Sequence, residues 1–213
     1  MPRPSPAQAA AELAARDPVM AKLVEATGPP KLTGRRQPDH FSALCESVVY
    51  QQLAGKAAAA IYGRLCTALG GTPTPDGIIA ADDTTLRSAG LSGAKAACLR
   101  ALAEATTSGR LVLGTGLTRM GDDELVDQLS AVRGIGRWTA EMFLIFSLGR
   151  LDVWPVGDYG VRKGYAAAYG LPDLPTPRQL MPLGDAFRPY RTVAAWYCWR
   201  AAENPELVRA VAP

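Results

Sequence analysis

Apolar residues recur along this chain at helical spacing, and no stretch alternates cleanly as a half-buried strand would. Ser5 before Pro6 reads as a cap and first turn. Leu13, Val19, Met20 and Leu23 then follow at roughly helical intervals, with a break near Asp17-Pro18 and an end at Gly28-Pro29-Pro30. Lys31 to Pro38 is polar and basic, a loop. Asp39 is placed to cap a helix whose apolar face runs Phe41, Leu44, Cys45, Val48, Val49, Leu53. After Gly55, Lys56 to Leu69 gives another helix, and Gly70 to Pro75 a turn. Asp76–Ala80 and Asp82–Ala89 read as short helices, and Gly93–Ser108 as a longer one. Leu111–Leu117 has some strand character, but two glycines interrupt it. The acids Asp122, Asp123 and Glu124 open a helix running to Val132, where the helix dipole favours them. Gly136–Leu148 is the most apolar helix. Asp158–Tyr169, Pro177–Phe187, Tyr190–Ala202 and a last short turn complete an all-α chain of about ten helices.

Composition narrows the chemistry. The 213 residues make one large domain or two small ones. With 23 basic and 20 acidic residues the net charge is +3, which excludes a histone-like tail but not a local basic face. His40 is the single histidine, so a His-rich zinc site is excluded. Cys45, Cys66, Cys98 and Cys198 form no CxxC pair and read as buried free thiols. The N-terminus has no apolar signal core, and the longest apolar run, Met142–Leu148, is far too short to span a membrane. The expectation is a soluble, reduced, cytoplasmic protein.

Two segments carry candidate chemistry. In Leu129–Glu141 two helices meet at Gly134-Ile135-Gly136. The glycines permit a tight turn, Ile135 can tuck between the helices, and the second helix begins with unpaired N–H groups that attract an anion such as phosphate. Arg133 and Arg137 add positive charge; an ordinary helix–turn–helix corner fits the same residues. The second segment, Val153–Lys163, contains Asp158 after a glycine and before a helical run. Position makes it an N-cap. A cap is compatible with catalysis, because one oxygen can serve the helix while the other faces a cleft. Arg162 and Lys163 read as solvated charges or phosphate contacts.

These segments resemble the helix-hairpin-helix DNA glycosylases, nearest the bacterial DNA-3-methyladenine glycosylase II branch. The resemblance rests on Val48–Ala58, Val132–Ala140 with the Pro-Val-Gly-Asp run ending at Asp158, and Phe187–Trp199, which follow one another in the family's order over roughly 32–202. It implies a two-lobed helical fold with a cleft between lobes, without the N-terminal β-domain of longer relatives. The expected division is 1–37, a helical segment packing on the second lobe; 38–134, a lobe ending in the hairpin; and 135–213, carrying the hairpin's second helix, Asp158 and the C-terminal helices.

The resemblance also assigns roles. Asp158 falls on the catalytic aspartate. Trp138 falls where bifunctional relatives carry a Schiff-base lysine, so this chain should be monofunctional, with water as nucleophile. Trp138, Met142, Tyr159 and Trp199 fall on or beside the base pocket, whose electron-rich rings favour a cationic purine. Met142 and Arg200 stand where the best-known relatives have tyrosines, which makes the pocket less aromatic. Leu53, with Gln52, matches the wedge that fills the space of a flipped base. Gly134, Gly136 and Arg137 match phosphate contacts. The carbonyls of Ser130 and Val132 match positions that hold a monovalent cation, sodium or potassium; no other cofactor is implied. The expected partner is duplex DNA with alkylated bases, bound by a monomer at the bacterial nucleoid without a protein partner. Lys31, Arg35, Arg36, Lys56 and Lys95 are DNA-contact candidates or plain surface charges. Trp154 and Trp196 read as core.

Three other readings compete: a bifunctional glycosylase/lyase for oxidised bases, against which Trp138 speaks; a non-catalytic helix-hairpin-helix DNA-binding module; and a generic helical interaction protein, which would show no salt-sensitive DNA binding. The absent C-terminal four-cysteine cluster argues against the endonuclease III branch.

Overall fold

A computed structural model describes residues 4–32, 39–53 and 55–211, and no strand occurs among them. They form thirteen α-helices in two compact units: residues 1–33 with 149–213, and residues 34–148.

The terminal unit begins with α1 (Pro6–Arg16) and α2 (Pro18–Thr27). Ser5 and Asp17 cap them by accepting the N–H groups of Gln8 and Met20, and each helix has proline at its first position, where no donor is lost. The unit resumes with α10 (Tyr159–Ala168), α11 (Pro177–Leu183), α12 (Arg191–Glu203) and α13 (Pro205–Val211). α12 is buried along most of its length and packs on α1, α2 and α10. Its Tyr197 hydroxyl donates to the Gly28 carbonyl at 2.9 Å, and the Tyr169 hydroxyl donates to Asp17 Oδ2 at 3.0 Å. Burial pushes the Tyr197 phenol up to about 12, as expected of an interior hydroxyl. Trp154 and Trp196 are buried, as expected of core residues.

The middle unit holds α3 (His40–Tyr50), α4 (Gly55–Ala68), α5 (Pro75–Ala80), α6 (Asp83–Ser88), α7 (Gly93–Thr107), α8 (Asp122–Ser130) and α9 (Arg137–Phe146). Asp39, Thr74, Asp82 and Ser92 cap α3, α5, α6 and α7. Leu44, Val48, Val49, Leu99, Leu102, Leu125, Leu129 and Phe143 fill its core.

Four expectations change. The boundary lies at 148/149, not 134/135: α9 packs on α8 and α3, so both halves of the hairpin belong to the middle unit. α3 stops at Tyr50 rather than continuing to Leu53, which is 39% exposed. Leu111–Leu117 forms no strand; its end enters a 3-10 turn at Thr115–Arg119. Cys66 is only half-buried, whereas Cys45, Cys98 and Cys198 are buried free thiols. Most of the expected loop at 31–38, with the candidates Arg35 and Arg36, lies outside the described residues. Among the described residues no helix is long and apolar enough to cross a membrane.

Candidate active site

The chain is pinned before it reaches Asp158. Buried Thr192 donates its hydroxyl to the Arg150 carbonyl at 2.8 Å and accepts the Val153 N–H at 3.0 Å. Arg191 clasps Asp152 through Nε and a terminal nitrogen at 2.8 and 3.0 Å. The Trp154 indole donates to the Leu180 carbonyl at 3.0 Å. Pro155 then starts a tight turn closed by the Asp158 N–H, which donates to the Pro155 carbonyl at 2.9 Å.

Asp158 caps α10, as its position predicts: Oδ1 accepts the Val161 N–H at 2.8 Å. The same oxygen accepts the Trp199 indole N–H at 2.9 Å. Two donors on one oxygen fix the carboxylate's orientation as well as its place. This pairing across 41 residues requires α10 and α12 to pack almost backbone to backbone. Glycine permits that. A Cβ at Gly160 would lie 2.9 Å from Trp199 Cδ1 and 3.1 Å from Asp158 Oδ1, and one at Gly164 would overlap the Cys198 carbonyl. Cys198 sits at that contact, its thiol pushed up by burial and then by the negative charge of Asp158.

The other pocket candidates divide between the units. Trp199 is half-buried and Tyr159 is 64% exposed, both beside Asp158 in the terminal unit. Trp138 (44% exposed) and half-buried Met142 stand one turn apart on α9 in the middle unit. Neither unit by itself gathers all four.

At the hairpin, Ile135 is buried and its N–H donates to the Val132 carbonyl at 3.0 Å. Gly134 has φ +91° and lies against Cys98, where a Cβ would come within 2.7 Å of the cysteine's own. Gly136 differs: a Cβ there would meet nothing within 4 Å. It is the N-cap of α9, and no side chain caps that end. The protein itself therefore does not need glycine at 136; a partner approaching the helix N-terminus would. Ser130 is the last residue of α8, where carbonyls outrun helical N–H partners, and Val132's carbonyl keeps a second lone pair beside its bond to Ile135. Both are compatible with cation ligation.

Two charges have other employment. Arg137 Nε donates to buried Glu141 at 2.9 Å, with Asp123 at 3.7 Å, although the arginine side chain is 57% exposed. Lys95 is not a solvated charge: Nζ donates to the Val49 and Gln51 carbonyls at 2.6 and 2.9 Å. Lys31 and Lys56 are exposed. Four residues escaped the sequence reading: Gln51, which bonds the hairpin; Lys95, in its actual role; and the pair Gly160 and Gly164. The glycines had a signal, two costly residues four apart inside a predicted helix. Gln51 and Lys95 had none.

An all-helical fold with a hairpin and a capping aspartate on the following unit defines a class. Residues 45–189 match the model of the HhH-GPD superfamily of base excision DNA repair proteins, and the chain belongs to that superfamily. It is 37% identical to DNA-3-methyladenine glycosylase 1 of Schizosaccharomyces pombe over 196 residues, covering 91% of this chain and 85% of that one. The solved structure of 3-methyladenine DNA glycosylase from the same yeast, in complex with abasic DNA, superposes with a TM-score of 0.79 at 35% identity, covering 92% and 97%. A DNA-3-methyladenine glycosidase from Bacillus halodurans superposes with a TM-score of 0.82 at 39% identity, covering 91% and 88%.

Proposed function

We propose that this protein is a monofunctional DNA glycosylase that excises alkylated bases of the 3-methyladenine type from duplex DNA, acting as a monomer in base excision repair. The observation that carries the reading is Asp158, its Oδ1 held by the Val161 amide and the Trp199 indole at the start of α10. The likeness to named 3-methyladenine glycosylases over most of both chains supports the substrate class.

The chemistry follows from charge. A 3-methylated adenine is cationic in its nucleotide, so it departs without prior protonation. The C1′–N bond breaks and its electron pair goes to the base, which leaves neutral. The sugar gains oxocarbenium character, and the Asp158 carboxylate stabilises that charge. Water adds at C1′ and releases one proton to the solvent, giving the abasic sugar. Trp138 has no amine, so no Schiff base forms and the strand stays intact. Trp138, Met142, Tyr159 and Trp199 are the proposed contacts to the base, and Leu53 with Gln52 the wedge. Duplex phosphates meet the uncapped N-terminus of α9 at Gly134 and Gly136, with Arg137 adding charge. A sodium or potassium ion on the Ser130 and Val132 carbonyls would reinforce that grip.

The test is release of free base from DNA carrying 3-methyladenine, read by chromatography. Asp158→Asn should lower the single-turnover rate about 100-fold or more. Borohydride should trap no enzyme–DNA adduct; a trapped adduct would establish the bifunctional reading.

A further inference from the structure

α3 ends without enough N–H partners for its last carbonyls. Val48's carbonyl accepts the Gln51 N–H at 3.3 Å, and Tyr50's accepts that of Leu53 at 3.4 Å. The carbonyls of Val49 and Gln51 instead share one ammonium, Lys95 Nζ, from the first turn of α7. Partial burial lowers the pKa of Lys95 from its ordinary value. Gln51 continues the chain of contacts. Its side-chain amide donates to the Gly134 carbonyl at 3.2 Å and to Thr139 Oγ1 at 3.0 Å. The turn that follows contains Gln52 at φ +55°, the one non-glycine in the left-handed region among the described residues. Such a strained conformation persists only where its surroundings over-determine it. Exposed Leu53 comes next.

We propose that Lys95 and Gln51 form a double tether, Lys95 holding the Gln52–Leu53 turn to α7, whose Cys98 packs on Gly134, and Gln51 holding it to the Gly134–Gly136 hairpin, so that wedge and phosphate grip act as one rigid piece during base eversion. Lys95 is then a positioning residue: it touches neither base nor sugar. Its two bonds neutralise the partial negative charge at the end of α3 and hold the strained turn in its exposed position. The eversion role rests on the glycosylase reading above; the tether does not. All of these contacts lie within the middle unit.

The test combines amide hydrogen exchange with excision from two substrates. Lys95→Met keeps most of the side chain's bulk and removes the donor. Exchange at residues 50–53 should rise about tenfold, while α10 and α12 keep the wild-type pattern. Excision of 3-methyladenine from duplex DNA should fall about tenfold, whereas excision from single-stranded DNA, which needs no eversion from a stack, should stay within about twofold. Gln51→Ala cuts the other tether and should show the same duplex-over-single-strand loss, which keeps the test available should Lys95→Met not fold. Unchanged exchange at 50–53 overturns the tether. Equal losses on both substrates overturn the eversion role, since general damage to the enzyme would look that way. A wild-type protein that excises from neither substrate overturns the glycosylase reading and the eversion role together, and exchange then decides the tether.

Discussion

The two units hold their functional groups by different means. In the terminal unit, Asp158 is placed by packing: α10 and α12 approach through Gly160 and Gly164, and the Trp199 indole arrives as part of that contact. In the middle unit, the turn proposed as wedge is held by polar tethers: Gln51 donates to the Gly134 carbonyl and the Thr139 hydroxyl, and Lys95 to the Val49 and Gln51 carbonyls. A packed contact is hard to deform and yields a fixed carboxylate. Tethers of two hydrogen bonds each permit an exposed, strained turn that packing alone would not retain. In the proposed function, a carboxylate that awaits a developing charge gains from the first arrangement, and a turn that enters a base stack gains from the second.

The largest effect is expected where packing is tightest. Gly164→Ala forces a methyl into the Cys198 carbonyl, and should cost about 3 kcal/mol and lower Tm by about 6–12 °C in calorimetry. A Tm within about 2 °C of the parent would show that α10 and α12 can slide apart cheaply. Next in size is Trp199→Phe, which keeps a ring but removes the donor to Asp158. Single-turnover excision should fall about tenfold, with thermal stability reduced far less than by Gly164→Ala.

The middle unit should respond in binding rather than in folding. Gly136→Ala meets no protein atom, so folding should lose no more than about 1 kcal/mol. DNA affinity should nevertheless fall about fivefold in a salt-controlled titration, because the added methyl would sit at the proposed phosphate contact on the α9 N-terminus. Unaltered affinity would remove the hairpin from the DNA contact. The smallest effect concerns the thiols. Burial raises Cys98 to about 11 and closes it beneath Gly134, whereas Cys66 is half-buried. Iodoacetamide at neutral pH should label Cys66 first; first labelling at Cys98 would mean the hairpin opens readily.

Much of this molecule was legible in its sequence. Capping residues and prolines announced most helix starts, since those signals are local. Asp158 could be placed at a helix N-cap for the same reason, and Gly134-Ile135-Gly136 at a hairpin. The end of α3 was not legible, because Leu53 continues the apolar register and the nearest breaker, Gly55, opens the next helix instead of marking the end of this one. The unit boundary was misplaced because the hairpin's glycines look like a break, whereas α9 packs back on α3 and α8. Bonds such as Trp199 to Asp158 and Lys95 to Val49 join residues 41 and 46 positions apart, and no periodicity encodes them. Lys95 misled in a specific way: a lysine in a first helical turn ordinarily faces water, and only the third dimension supplies the two carbonyls that hold it.

In the proposed reaction the Asp158 carboxylate, packed in place and accepting two hydrogen bonds on Oδ1, stabilises the developing sugar cation. Single-turnover release of 3-methyladenine from duplex DNA, parent against Asp158→Asn at matched DNA occupancy, tests it most directly. The parent should release free base, and the variant should do so at a rate lower by about 100-fold or more. Equal rates from the two proteins would contradict it.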